Sequence, residues 1–339
     1  MKKVEKNVMR LGLSENPFGI SEKVREALQK ESEKIMYYPS SDYMELKQKL
    51  ARRLQLPVEC LYIGNGLDEV ILALSLALDL QNKKVLIPEN TFMGYYFSAV
   101  IVKGNIKQLP LKDYSTDIDL MISEANESVG AIFICNPHNP FGTIISKDEI
   151  RRLLTVCEAH GIYLIVDEAY IEYLENIYEF DVVNWISSSK YLIVLRTFSK
   201  AYGLAGLRCG YACADNEVIK YLLKIEAALP FRTNRFAEAA ALAALSDEQH
   251  LKMVREKNKR NKEWLEDKLE QKKLKFISSY TNFVTIFVEN SISVTNTLLE
   301  RYNIRVKDLA SMGLNGWIRI SIGTEEQLDK LWGALIEII

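Results

Sequence analysis

The sequence predicts an α/β fold, with a large unit built on a buried, mostly parallel sheet and a smaller α+β unit at the carboxyl end. Continuous apolar runs of strand length, such as residues 131–135 and 162–166, alternate with helical segments through most of the chain. Strands that are apolar on both faces are typical of mostly parallel sheets covered by helices. Near the carboxyl end, helical segments separate the runs NFVTIFV, NIRVKDL and WIRISIG, which predict the small unit.

The elements of the large unit follow one another in a regular order. After an N-terminal arm that ends near Pro17, helical periodicity covers roughly residues 21–34. The runs that we expect to form strands are CLYIG, KVLIP, AIFIC, IYLIVDEA, YLIVLRTFSK and CGYACA. A helix is predicted from Lys147 to His160, and three more between Asn216 and Lys275. Because no linker or repeat interrupts the chain, two packed lobes are expected rather than two tethered domains.

Composition argues against several classes of function. The chain has 339 residues and a formal net charge of −2, so no long-range field draws it to nucleic acid or to an anionic membrane. No stretch reaches the roughly 18 to 20 apolar residues that a membrane span needs. Five cysteines without a CxxC pair favour a reducing cytoplasm over a disulfide framework. Small molecules are therefore the expected partners, and no metal site is predicted.

A glycine turn follows the first predicted strand of the sheet. Gly64, Asn65 and Gly66 come directly after CLYI, and Leu67 and Asp68 open a helix. Free N–H groups at such a helix start bind phosphate well. The pattern is neither GxGxxG nor GxxxxGK[ST], which argues against dinucleotide and P-loop sites. By itself, however, a glycine turn between a strand and a helix is common in α/β domains of any function.

Polar residues follow two further strands. In NPHNPFG, two Asn-Pro pairs stiffen a loop and aim Asn139 over the edge where open α/β sheets bind ligands, whereas His138 is expected to be a surface loop residue. Asp167 ends the strand of IYLIVDEAY. A carboxylate there needs a positive or hydrogen-bonding partner to offset desolvation, such as a protonated pyridine nitrogen. The alternatives are a helix cap or a structural arginine.

The most specific segment is RTFSKAYGLAGLRCG. It has Lys200 just past a strand, with Thr197 and Ser199 beside it and Arg208 eight residues further on. Burial and a nearby cation lower the pKa of a lysine and make its amine a nucleophile near pH 7. Arginine and hydroxyl groups supply charge and donors for a phosphate dianion.

Together these motifs resemble the fold-type I pyridoxal phosphate (PLP) enzymes of the class I and II aminotransferases, and most of all the histidinol-phosphate aminotransferase branch. The resemblance runs nearly end to end through SENPFG, YYPSSDY, IGNGLDE, NPHNPFG, VDEAY, RTFSKAYGLAGLRCG and WIRISIGT. It implies a homodimer whose large domain, residues 30–245, holds a mostly parallel seven-stranded sheet. Residues 1–29 and 246–339 would form the arm and the small α+β domain.

The resemblance also implies roles for single residues. Lys200 would hold PLP as a Schiff base and later move the substrate proton, while Asp167 would keep the pyridine nitrogen protonated. Tyr170 and Asn139 match the residues that hydrogen-bond the phenolic oxygen of the cofactor, and Phe92 matches the aromatic ring that stacks on the pyridine.

The remaining implied contacts concern the cofactor phosphate and the substrate. The phosphate would lie in a cup formed by the backbone of Gly66, Leu67 and Asp68 and the side chains of Thr197, Ser199 and Arg208. Tyr38 matches a tyrosine that reaches this phosphate, and the substrate, from the neighbouring subunit. Arg319 matches the arginine that binds the substrate carboxylate through two parallel hydrogen bonds, and Asn16 is the other expected substrate contact.

Several positions depart from the usual pattern of the family. Phe141 stands where threonine is usual, His138 where asparagine is frequent, and Ser14 where asparagine begins the usual NENP. Either Arg305 or Lys307 could be the second substrate cation.

Other functions remain open at this stage. A decarboxylase of the threonine-phosphate type, or an oxidase, would share the motifs around the cofactor, because the reaction depends on which substrate bond is oriented against the ring. A ligand-sensing module would need a further N-terminal domain, for which the motifs leave no room. For transamination, glutamate and 2-oxoglutarate are the expected amino-group pair, with histidinol phosphate or an aromatic amino acid as the other partner.

Overall fold

Seven strands form one sheet in the computed structural model, which describes residues 8–339. In spatial order they are β2 (Leu61–Gly64), β10 (Gly210–Ala214), β9 (Leu192–Thr197), β8 (Tyr163–Asp167), β7 (Val129–Cys135), β3 (Lys84–Pro88) and β4 (Asn105–Leu109). Only β10 runs antiparallel to its neighbours within this sheet. The predicted mostly parallel, seven-stranded sheet is confirmed, and residues 1–7 of the expected arm lie outside the described residues.

Helices cover the large sheet. They are α1 (Glu22–Ser32), α2 (Met44–Leu54), α3 (Leu67–Ala77), α4 (Met93–Ile101), α5 (Ile118–Glu124), α6 (Lys147–His160), α7 (Asn216–Ala228), α8 (Arg235–Leu245) and α9 (Glu248–Gln271). The predicted bounds of α6 are confirmed, because Ser146 and Glu149 form a capping box at its start and Gly161 ends it with φ 68°. Among residues 8–339, no helix is long and apolar enough to cross a membrane.

The small lobe contains a four-stranded sheet. Its strands are, in spatial order, β11 (Phe276–Ile277), β12 (Phe283–Phe287), β15 (Trp317–Ser321) and β14 (Lys307–Asp308), and α10 (Ser291–Tyr302) and α11 (Glu325–Ile338) accompany them. The run NIRVKDL is divided between two short strands. Its first half, β13 (Ile304–Arg305), pairs in parallel with β1 (Met9–Arg10) of the arm, and its second half, β14, pairs with β15.

Short elements complete the chain. A two-stranded ribbon joins β5 (Leu111–Lys112) and β6 (Ser115–Thr116). Single turns of 3-10 helix occupy Val58–Cys60, Ile171–Tyr173, Ile177–Glu179, Ala205–Leu207 and Ala310–Met312, and a longer one occupies Val183–Ser188.

Two hydrophobic cores support two lobes. One is formed by the faces of the large sheet and its helices, and the other by the small sheet, α10, α11 and Leu11 of the arm. Helix α9 contributes to both, with Leu251 and Val254 in the first core and Leu265 and Leu269 in the second. The division at residues 245 and 246 therefore stays a proposal, since α9 packs continuously across it.

Candidate active site

The carboxyl edge of the large sheet collects most of the residues singled out above. Asp167 is the last residue of β8 and Thr197 the last of β9, while Asn139 follows β7 and Phe92 lies between β3 and α4. Parallel strands bring such positions to the same edge although they are far apart in sequence. Because β10 is antiparallel, Arg208 reaches this edge from the strand's amino end.

Asp167 is a buried carboxylate with neutral partners. Its Oδ2 accepts a hydrogen bond from the hydroxyl of Tyr95 at 2.6 Å, and its Oδ1 accepts one from the backbone N–H of Ala169 at 3.0 Å. Burial raises the pKa of Asp167 to about 6, and the bond from Tyr95 is the largest opposing influence. Within residues 8–339, no lysine or arginine is in ion-pair contact with Asp167, and the positive charge of Lys200 lowers its pKa only as a smaller influence from a greater distance.

The structural arginine considered for Asp167 pairs with the next residue instead. Arg196 donates to the Glu168 carboxylate through Nε at 2.9 Å and Nη2 at 2.8 Å, and it also pairs with Asp181 at 2.6 Å. All three side chains are buried. Neither this cluster nor the bond from Tyr95 was predicted from the sequence.

Lys200 lies next to these groups. Its Nζ donates to the carbonyl oxygen of Leu13 at 3.3 Å and lies 5.4 Å from the centre of the Tyr170 ring. Burial lowers the pKa of Lys200 to about 8, and the positive charge of Arg319 acts in the same direction. A substantial fraction of the amine is therefore neutral near pH 7 to 8, as a nucleophile requires. Burial raises the pKa of Tyr170, so its hydroxyl keeps its proton.

A cup of donors stands at the start of α3. Arg208 approaches Ser199 Oγ through Nη1 at 3.5 Å, and Thr197 Oγ1 donates to the same oxygen at 3.0 Å. Gly66 has φ +81°, and a Cβ there would lie 2.6 Å from Arg208 Nη2. The guanidinium can approach the backbone this closely only because residue 66 is glycine. Arg208 also pairs with the exposed carboxylate of Asp68 at 2.7 Å.

Arg319 extends from β15 of the small lobe to the same place. It donates through Nη2 to the carbonyl oxygen of Gly12 at 3.0 Å and through Nη1 to Asn139 Oδ1, and it lies 4.9 Å from the centre of the Phe283 ring. Its Nε is buried and has no hydrogen-bond partner among the described residues.

The expectation that His138 is a surface residue is wrong. Its side chain is 1% exposed and stacks on Phe141 with 5.9 Å between ring centres. Burial lowers the pKa of His138 to about 3, so the ring is neutral. The loop folds back under the small lobe, which a sequence pattern of alternating Asn-Pro pairs cannot reveal.

Three expected contacts have other surroundings within the single chain. Tyr38 is 80% exposed and stacks on Phe231. Asn16 donates to the carbonyl oxygen of Ala201 at 2.9 Å and accepts from the N–H of Phe18, so its amide holds the arm next to Lys200. Phe92 is half-buried and packs edge-on against Tyr95 at 5.5 Å.

A cavity of about 490 Å³ lies on the other side of the arm. Arg10, Glu15 and Asn16 line it together with Gly203 and Gln327. Its lining includes neither Lys200 nor Asp167, so it borders the site rather than containing it.

Comparison with known proteins gives a consistent result. The family model for aminotransferase class I and II matches residues 6–335. The chain is 34% identical to a histidinol-phosphate aminotransferase of Caldicellulosiruptor saccharolyticus, over 98% of this chain and 92% of the relative. It is 36% identical to one of Halalkalibacterium halodurans, over 98% of this chain and 89% of the relative.

Solved structures agree with the family match. Histidinol-phosphate aminotransferase from Sinorhizobium meliloti in complex with pyridoxal-5'-phosphate has a TM-score of 0.91 and 26% identity, over 98% of this chain and 91% of that one. L-threonine-O-3-phosphate decarboxylase from Porphyromonas gingivalis has a TM-score of 0.85 and 23% identity, over 98% and 99%, a likeness that concerns the fold alone.

The hydrogen bond from Tyr95 to Asp167 should affect the stability of the chain in a pH-dependent way. The pKa of Asp167 is about 6 in the folded chain, whereas the ordinary value for an aspartate, which applies to the unfolded chain, is 3.8. The carboxyl therefore binds its proton more tightly in the folded chain. Its burial therefore lowers stability as pH rises from the ordinary value of 3.8 to about 6; the cost is complete above pH 6 and disappears below 3.8. Replacing Tyr95→Phe removes a donor to the ionised form and should lower the free energy of unfolding by about 2 kcal/mol at pH 8.

Urea titrations at pH 5 and pH 8 measure this effect. The loss should be clearly smaller at pH 5, where the Asp167 carboxyl is protonated in the folded chain. Tyr96→Phe is the matched control, since Tyr96 is half-buried and packs against Phe97. Equal losses for Tyr95→Phe at the two pH values would show that the bond does not stabilise the carboxylate.

Proposed function

Since the chain belongs to the aminotransferase class I and II family and is a PLP-dependent transaminase of fold type I, we propose that it exchanges an amino group between histidinol phosphate, or an aromatic amino acid, and the pair glutamate and 2-oxoglutarate. One observation carries the proposal. Lys200, the buried Asp167 with no cation in contact, and the donors around Arg208 all lie at the same edge of the large sheet. The decarboxylase alternative has only a likeness of fold behind it.

The residues of the site fit PLP. The Asp167 carboxylate lacks a cation, and a protonated ring nitrogen would complete it. Beside Gly66, the guanidinium of Arg208 and the hydroxyls of Thr197 and Ser199 form a group of donors suited to a phosphate dianion. When bound, the cofactor supplies an electron sink for the carbon that carries the transferred amino group.

In the mechanism we propose, each side chain has one task. Asp167 holds a proton on the ring nitrogen, and Tyr95 keeps that carboxylate oriented through its 2.6 Å bond. Lys200 Nζ, whose pKa is lowered to about 8, takes a proton from the substrate carbon and returns it. Tyr170 and Asn139 hold the cofactor's phenolic oxygen, and Phe92 orients the ring.

We further propose that Arg319 and Lys307 bind the anionic end of the substrate. In histidinol phosphate a phosphate ester takes the place of the carboxylate, so one site must accept groups of different charge. Lys307 lies opposite Arg319 in the pairing of β14 with β15, and residues in such a pair face the same side of a sheet. Arg305 instead pairs with Arg10 of the arm. The register thus favours Lys307 as the second cation.

A homodimer in the cytoplasm completes the proposal. Tyr38 is exposed within a segment of exposed apolar side chains, Ile35, Met36 and Tyr37, and this supports a contact with the neighbouring subunit. From there its hydroxyl would reach the phosphate cup of the partner. The five cysteines are all unpaired and buried, which supports a reducing compartment.

The visible absorption spectrum tests the reaction. The protein loaded with PLP should show a visible band that glutamate and histidinol phosphate each bleach. Lys200→Ala should keep the cofactor through the phosphate cup but lose about 10³-fold or more in turnover. Lys190→Ala, which removes an exposed lysine, should behave as the unchanged protein. A band that no amino donor bleaches would contradict transamination, and full activity in Lys200→Ala would contradict the assigned residue.

Steady-state kinetics test the second cation. Lys307→Ala should raise KM for histidinol phosphate about tenfold, the equivalent of one lost charge-assisted contact, and change KM for glutamate much less. Arg305→Ala is the comparison that separates the two candidates. If Arg305→Ala gives the larger and phosphate-selective increase, the assignment to Lys307 is wrong.

Mixed dimers test the shared site. We expect that Tyr38→Ala and Lys200→Ala are each weakly active alone, and that after subunit exchange they recover about a quarter of the unchanged activity, because each hybrid holds one intact site. The same proteins, incubated separately and assayed together without exchange, provide the control. No recovery after proven exchange would mean that Tyr38 acts within its own chain.

A further inference from the structure

The loop that carries Asn139 is held by the small lobe at four consecutive positions. Its contacts are Asn139 Oδ1 with Arg319, Pro140 O with the hydroxyl of Thr285, the Phe141 ring with Trp317, and Gly142 O with the N–H of Tyr280 at 2.8 Å. The base of the loop belongs to the large lobe, because the N–H of Asn136 donates to Asp167 O at 2.9 Å. The loop therefore bridges the two lobes over the site.

Phe141 fills the centre of this bridge. Its side chain is 1% exposed and has ring neighbours on three sides, Tyr114 at 5.1 Å, His138 at 5.9 Å and Trp317 at 5.9 Å. Leu309 belongs to the same buried cluster. Threonine, the residue usual in the family, is much smaller and would leave most of this space unfilled. The large ring is thus a feature of this chain, together with the buried, neutral His138 that stacks on it.

We propose that Phe141 is a positioning residue that fixes Asn139 against Arg319. The side chain expected to bind the cofactor's phenolic oxygen and the side chain expected to bind the substrate anion then move as one unit. This inference rests on the proposed function of both residues. Because the Phe141 ring is 1% exposed and enclosed by protein side chains, in this proposal it acts through the Asn139 to Arg319 contact.

Ligand binding measured by absorption tests the proposal. In the PLP-loaded protein, Phe141→Thr should raise the Kd of maleate, a simple dicarboxylate, about tenfold, and should shift the pH midpoint of the cofactor band. Phe141→Leu, which keeps an apolar filling, should stay within about threefold. Phe287→Thr is the matched control, since Phe287 packs on Trp317 at 5.5 Å from β12 and should leave the Kd of maleate within about twofold.

A double-mutant cycle identifies the route. In Asn139→Ala protein, adding Phe141→Thr should change the Kd of maleate by less than about twofold, because the contact that Phe141 supports is already gone. Independent, multiplying effects would overturn the proposal, and so would an unchanged Kd and unchanged band in Phe141→Thr alone. If Phe141→Thr does not fold, as judged by circular dichroism, the cycle is run with Phe141→Leu, where additivity again overturns it.

The same experiment separates this inference from the function it rests on. An unchanged protein that shows no band with PLP, or no response to maleate, contradicts the proposed function together with the role of Phe141. Normal behaviour of both the unchanged protein and Phe141→Thr contradicts only the role of Phe141.

Discussion

A buried carboxylate without a cation is the constraint on which the rest of the site depends. An ionised carboxylate that leaves water loses hydration worth several kcal/mol, and one neutral donor and one backbone N–H offset only part of it. Burial raises the pKa of Asp167 to about 6, although the bond from Tyr95 and the charge of Lys200 act against this rise. A positively charged group that binds beside Asp167 from outside the chain would offset this cost. The surroundings of Asp167 therefore favour a ligand that carries a positive charge at this point.

The neighbouring residue, Glu168, shows why no arginine is in contact with Asp167. Glu168 is as buried as Asp167, but Arg196 satisfies it through two hydrogen bonds and binds Asp181 as well. The arginine is thus committed to the cluster beneath the strand end and does not neutralise Asp167. One strand end therefore carries two buried acids on opposite sides of the chain. Glu168 is in contact with an arginine and Asp167 is not, and burial raises the pKa of both, to about 7 for Glu168.

Much of this could be predicted from sequence, because it follows from local rules. Parallel strands bring their carboxyl ends together, so the convergence of Asn139, Asp167 and Thr197 follows from apolar runs and from the residues after them. The bond from Tyr95 to Asp167 could not be predicted, since it joins positions 72 residues apart. The same holds for the burial of His138, which depends on a small lobe formed more than 130 residues later. Strand β4 was not predicted because its sequence, NIKQL, is polar, as is common at the edge of a sheet.

Burial brings the pKa values of the two titrating groups of the site, Asp167 and Lys200, closer together. Burial penalises charge of either sign, so it raises the pKa of Asp167 to about 6 and lowers that of Lys200 to about 8. The guanidinium groups of Arg319 and Arg208 lie where anions are expected. The site therefore offers fixed positive charge for a phosphate and a carboxylate, and two adjustable groups between them. In the proposed function, a ligand with a positive ring nitrogen would lower the pKa of Asp167 and hold it as an anion, which would leave Lys200 as the group that exchanges protons near neutral pH.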